Sequence, residues 1–177
     1  FYSSQVDESE RFLFIYESGS NLGNRLFVKD LKNPKAGFIE MAGNDTYTYN
    51  VIDVIGDDIY IHTNDNAPNY RVMKTDIRHA KVSQWKEFIA EKETPIAELG
   101  FMAGKLMISY LQDASDHAYF YNLDGKLMHE VALPGIGSVG FSGSRNEEEI
   151  FYSFSSFTYP SSIFKYDLAK NQSELYM

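Results

Sequence analysis

Cysteine is absent from this chain, which excludes disulfides, thiolate metal sites and cysteine nucleophiles and leaves the redox compartment open. Basic charge is scarce: 16 Lys and Arg stand against 25 Asp and Glu, for a formal net charge of −9. A nucleic-acid partner requires a basic stripe and an anionic membrane surface requires the same, so neither is expected as a partner. No apolar run approaches the roughly 20 residues that cross a bilayer. No secretory signal is visible in a sequence that starts at Phe1. The expectation is a soluble acidic protein kept apart by self-repulsion, with cytoplasm and periplasm both open as its compartment.

What is present points to strands. The 177 residues are 44% hydrophobic and 15% aromatic, enough to bury a sizeable core and too much for a disordered chain. Thirteen Tyr and thirteen Phe, with many β-branched residues, favour sheets over helices. The stretch EIFYSFSSFTYPSSIFKYDL, Glu149 to Leu168, reads as two strands joined by a proline-bearing loop, with Phe164 and Tyr166 alternating with Ile163, Lys165 and Asp167.

The same pattern recurs. NRLFVKDL (Asn24 to Leu31), YRVMKTDI (Tyr70 to Ile77) and HAYFYNLDG (His117 to Gly125) each place apolar residues ahead of an aspartate. The aspartates Asp30, Asp76, Asp124 and Asp167 are spaced 46, 48 and 43 residues apart. Each copy follows another apolar run: Phe12 to Tyr16, Ile59 to His62, Leu106 to Tyr110 and Ile150 to Phe154. Four short strands recurring every 40–50 residues or so is the signature of β-propeller blades. The fold expected is all-β: a partial β-propeller of about four four-stranded antiparallel blades, at approximately 1–42, 43–91, 92–133 and 134–177. In Val82 to Glu91 the residues Trp85, Phe88 and Ile89 suit a helix, but the repeat requires a last strand there, and the repeat is followed. Four blades without a visible closing strand suggest a fragment of a larger propeller, because an open arc exposes apolar faces.

Candidate chemistry is thin. His62, His79, His117 and His129 form no paired zinc spacing, and His62 and His117 are expected at strand ends. Asp113 to His117 lacks the glycine and terminal glutamate of a calcium loop and reads as a hairpin tip. Gly140-Phe141-Ser142-Gly143-Ser144 approximates a nucleophile elbow, but its second glycine falls one place early, so it is expected as a loop between two strands. The four repeated aspartates read as Asx-type turn acceptors, and Glu147-Glu148-Glu149 as a solvated loop. The loops Ser18 to Gly23, Asp65 to Asn69, Gln112 to Asp116 and Ser156 to Ser161 share one rim by repeat position. No catalytic, metal or cofactor residue is assigned, no cofactor is expected, and substrate-binding residues are left open.

Several stretches resemble the β-propeller domain of the prolyl oligopeptidase family of serine peptidases: FYSSQVDESERFLFI, NRLFVKDL, TNDNAPNYRV, WKEFIAE and IFYSFSSFTYPSSIFKYDL. The resemblance spans the chain and implies a portion of a seven-bladed propeller that sits over an α/β-hydrolase domain carrying a Ser, Asp and His triad. It implies as partners that catalytic domain of the same parent chain and the short proline-containing peptides that pass to it. The expected role is noncatalytic gating, with self-association of the open fragment as a further expectation. The competing reading is a stand-alone propeller or β-sandwich interaction module without catalytic activity.

Overall fold

The computed structural model describes residues 1–177. Sixteen strands form four antiparallel sheets of four, each in simple sequential order. The first sheet holds β1 (Tyr2–Val6), β2 (Phe12–Glu17), β3 (Arg25–Asp30) and β4 (Ile39–Ala42). The second holds β5 (Tyr49–Ile55), β6 (Asp58–Thr63), β7 (Arg71–Thr75) and β8 (Lys86–Ile89). The third holds β9 (Ile96–Met102), β10 (Lys105–Gln112), β11 (Ser115–Tyr121) and β12 (Leu127–Glu130). The fourth holds β13 (Ser138–Gly143), β14 (Ile150–Ser155), β15 (Ser162–Asp167) and β16 (Gln172–Leu175). This is the blade organisation of a partial β-propeller. A β-sandwich, which divides its strands between two sheets, does not describe it.

The chain divides into two compact units, Phe1–Glu93 and Thr94–Met177, each containing two blades. In the first unit, alternation along β2 and β3 sends Phe12, Phe14, Leu26 and Val28 to one face, where they join one core with Tyr49, Ile59 and Ile61 of the next sheet and with Trp85 just before β8. Trp85 meets Tyr49 edge-on at 5.7 Å, and its indole N–H donates to the Ala80 carbonyl at 2.6 Å. The helical spacing around Trp85 yields only a 3₁₀ turn, Val82–Gln84, and β8 then completes the sheet as the repeat requires. The polar turn before β2 is closed by Asp7, whose carboxylate accepts the N–H groups of Ser9 and Arg11 at 3.0 and 2.9 Å, that of Phe12, and the Ser9 hydroxyl. Burial works to raise its pKa, but these bonds together hold it below the usual carboxylate value.

In the second unit an aromatic ladder joins the sheets. Phe120 stacks on Tyr166 at 5.4 Å, Tyr152 on Phe164 at 5.1 Å, and Phe141 lies between them, 6.1 Å from Phe120 and 5.1 Å from Tyr152. Such pairs add roughly 0.5–1.5 kcal/mol each beyond the area they bury. Far from the loops between second and third strands, each unit is tied again: Arg11 reaches Asp57 at 2.5 Å in the first, and Ala103 and Gly104 donate to Ser144 and Arg145 carbonyls at 3.0 and 2.8 Å in the second.

Candidate functional surface

The first strand of every blade is an edge strand, whose outward N–H and C=O groups must be satisfied from outside the sheet. At β5 the satisfaction comes from the preceding blade. Asn24, just before β3, accepts the Tyr49 N–H at Oδ1 and donates from Nδ2 to the Tyr49 carbonyl, both at 3.0 Å. The Tyr16 hydroxyl accepts the Val51 N–H at 3.2 Å. Burial pushes the Tyr16 pKa up to about 12, against the opposing bond from Val51, so the phenol stays neutral there. Gly23 donates to the Asp45 carbonyl at 3.1 Å, and a Cβ on it would lie 2.1 Å from the Tyr47 carbonyl oxygen, so no larger residue fits.

The arrangement recurs at β13. Ser115 Oγ accepts the Gly137 N–H at 3.2 Å, Asp116 Oδ2 accepts the Val139 N–H at 2.9 Å, and Glu98 Oε2 accepts the Phe141 N–H at 3.2 Å. Burial raises the pKa of Glu98, and the Asp116 charge adds to that rise, against the bond from Phe141. Within the first unit Asn69, ahead of β7, does the same for the segment leaving β8, donating to the Lys92 and Glu93 carbonyls at 3.1 and 3.0 Å. Asn24 and the pair Ser115-Asp116 therefore each hold the start of the next blade's first strand, and Asn69 holds the segment that links β8 to the next blade. Sequence reasoning missed these contacts, although the signal was there: an Asn precedes an Arg by one or two places in both N-R-L-F and N-Y-R-V.

The loops between second and third strands are not alike. Those of residues 18–24, 64–70 and 156–161 are long, but the expected loop Gln112 to Asp116 is a two-residue turn. Asp113 and Ala114 take φ of 51° and 60°, the left-handed values of a tight hairpin, and β10 and β11 extend into the range read as loop. The loop of residues 156–161 is pinned by Ser156, whose Oγ accepts the N–H groups of Thr158 and Tyr159 at 3.3 and 3.1 Å. Beneath the rim in the second unit lies a cleft of about 660 Å³ lined by Ser115, Asp116, Val131, Leu133 and Ile136, among others.

Asp30, Asp76 and Asp167 accept backbone N–H groups two or three residues on, as Asx-type acceptors do. Asp124 does not: in the third blade the acceptor is Asn122, bonded to the Lys126 N–H at 2.9 Å. The aligned positions are Asp30, Asp76, Asn122 and Asp167, spaced 46, 46 and 45 residues. An amide oxygen serves this turn as well as a carboxylate does, so matching on aspartate alone chose the wrong residue. Gly140 to Gly143 lie within β13 and not in a loop, so the Ser142 backbone is extended instead of sharply bent.

The histidines stay apart. His62 lies at the end of β6, next to its last residue, whereas His117 sits inside β11. His62 stacks on Tyr70 at 4.5 Å, Nε2 finds no partner, and burial lowers its pKa to about 4. His117 meets Glu130 at 3.3 Å and His79 meets Asp76 at 3.0 Å. No group of three or more His, Asp or Glu side chains is placed to hold a metal ion, and no helix is long and apolar enough to cross a membrane.

Comparison with known proteins accounts for the whole chain. The family model for the N-terminal β-propeller domain of prolyl oligopeptidases matches residues 1–177. A prolyl endopeptidase of Elizabethkingia meningoseptica is 36% identical over 177 residues, covering 99% of this chain and 25% of that protein. The dual function macrocyclase-peptidase POPB of Galerina marginata (strain CBS 339.88) is 24% identical over 180 residues, covering 98% of this chain and 24% of its own. Among solved structures, a chain from a structural and mechanistic analysis of two prolyl endopeptidases superposes with a TM-score of 0.86 at 27% identity, over 99% of this chain and 26% of that one. Apo prolyl oligopeptidase B of Galerina marginata superposes at 0.84 with 23% identity over 99% of this chain and 26% of its own, a likeness of fold. The chain thus spans about a quarter of the length of the relatives it matches.

Proposed function

Because this chain belongs to the prolyl oligopeptidase family, as a portion of its N-terminal β-propeller domain, we propose that it is the noncatalytic, access-restricting part of a serine peptidase that cleaves short peptides after proline. The observation that carries this is the match of all 177 residues to the propeller domain, together with four sheets in propeller order. The blades are taken as approximately 1–42, 43–91, 92–133 and 134–177. The partner of first rank is an α/β-hydrolase catalytic domain of the same parent polypeptide, with short proline-containing peptides passing to it. In this role the interlocks at β5 and β13 matter more than any single reactive group. A gate works by excluding folded proteins, and it must be stiff enough not to part when they press on it.

The test uses the intact parent. It should cleave a short unstructured peptide after proline and spare the same sequence placed within a folded protein. The 177-residue chain purified alone should cleave neither. Turnover by the isolated chain, or equal cleavage of both substrates by the parent, overturns the proposal. Separated from its neighbours, the chain should also associate with a second copy through its outer blade faces.

A further inference from the structure

The interlocks at β5 and β13 differ in what they are made of. At β5 the acceptors are the Asn24 amide and the Tyr16 phenol, and neither changes charge near neutral pH. At β13 two of the three acceptors are carboxylates: Asp116 takes the Val139 N–H at 2.9 Å and Glu98 the Phe141 N–H at 3.2 Å. Those N–H groups are two residues apart on one strand, so the carboxylates grip it at points about 7 Å from each other. Strand pairing puts both on one face. Glu98 lies opposite Ser109, and Ser109 opposite Ala118, a core residue two places from Asp116. Both carboxylates are half-buried, where like charges repel more strongly than in water.

The other ionisable groups around the pair are distant, neutral or acidic. Lys105 of β10 and His129 of β12 lie opposite Met102 and Phe120, four residues along the strands or three strands across. That is roughly 13 Å, beyond the screening length of about 8 Å at 0.15 M salt. Arg145 lies beside Gly104 at the same far end. His117 and Glu130 pair with each other on the opposite face, and Asp113 adds negative charge at the exposed hairpin tip. From the fourth blade β13 brings no ionisable side chain, while β14 and β15 bring Tyr152 and Tyr166, phenols that burial keeps neutral. We propose that Glu98 and Asp116 make the interlock of the third and fourth blades proton-linked, tighter when the pair takes up a proton and looser when both are charged. A protonated Glu98 keeps an oxygen for the Phe141 N–H and no longer repels Asp116. Burial, and after it the Asp116 charge, raise the Glu98 pKa against the Phe141 bond, so the folded chain binds the proton before the unfolded chain does. The stability gained is complete below the ordinary value of 4.5 and is lost as pH rises through the folded value.

The experiment is amide hydrogen exchange of the intact parent at roughly pH 5 and pH 7.5, each rate scaled to that of an unstructured peptide at the same pH. The β13 amides should be roughly threefold or more better protected at the lower pH, and those of β5 should gain nothing. E98Q, neutral at every pH, should hold β13 at its acid level throughout, and D116N should narrow the difference. Equal or poorer protection of β13 at the lower pH, an equal gain at β5, or a difference that either substitution leaves intact overturns the proposal. So does a failure of E98Q to fold, because the amide offers the same acceptor without the charge. The gating reading is judged by cleavage and stands or falls separately.

Discussion

Asn24 makes both halves of a backbone hydrogen-bond pair that a neighbouring strand would otherwise make, and it does so while buried. Removing its amide leaves the Tyr49 N–H and carbonyl without these partners, which costs on the order of 1–3 kcal/mol for each buried group left unsatisfied. N24A should therefore lower stability by about 2–4 kcal/mol, and N24D, which keeps the acceptor and loses the donor, should fall between; urea unfolding measures both. An N24A chain as stable as the parent sequence would remove the clamp from the account. His62 makes a second prediction at this scale. Its folded pKa, about 4, lies below the ordinary value of 6.5, so the unfolded chain takes up the proton first as pH falls. The stability this neutral ring contributes is complete above about 6.5 and is lost progressively toward pH 4, by on the order of 1–3 kcal/mol. H62Q should flatten thermal stability across that window while leaving the profile above pH 7 unchanged.

Elements are held to one another by the close approach of backbone, and Gly137 shows the tolerance. G137A must push β13 away from Ser155 and Phe154, disturbing the bonds from Ser115 and Asp116 together. G135A, two residues earlier, meets nothing within 4 Å. The expected outcome is a loss of about 1–3 kcal/mol for G137A and less than about 0.5 kcal/mol for G135A, read by thermal unfolding; equal effects would show that the approach is not constraining. The same contrast explains what was legible in the sequence. β2, β6, β10 and β14 bury apolar residues at most core-facing positions, so their runs stand out. β1 is all but exposed and reads Tyr-Ser-Ser-Gln-Val, without apolar alternation to announce a strand. The Asx-type turns were legible as a repeat, yet Asn122 was not, because residue identity was matched where hydrogen-bonding capacity was needed. The edge clamps were illegible for a different reason: Asn24, just before β3, caps Tyr49 of another sheet, and no local pattern states that one caps the other.

For the whole molecule the informative quantity is the balance between apolar faces and net charge. On the fourth blade Ile150, Tyr152, Phe164 and Tyr166 fill the core of their unit, so alternation turns Phe151, Ile163 and Lys165 to the other face of the sheet. There Phe151 meets Tyr176 at 5.2 Å, and both Ile163 and Tyr176 are exposed. On the first blade the outer face carries Phe27 beneath Arg25 and Phe38 beneath Lys29, at 4.9 and 5.7 Å. Two chains can bury such faces together, but each brings a net charge of −9, and like charge opposes the approach. The 177-residue chain should therefore associate weakly at low ionic strength and more strongly as added salt shortens the Debye length from about 30 Å at 0.01 M to about 8 Å at 0.15 M. Hydrophobic contact survives that screening, whereas association held by ion pairs would weaken with it, so the sign of the salt effect identifies the force. I163D, which places a charge on the fourth blade's outer face without entering the core, should shift the species back toward monomer with little change in melting temperature. Sedimentation across protein and salt concentration reads both effects. A monomer that persists at high protein concentration in moderate salt would mean that these faces are too small or too polar to hold a second copy.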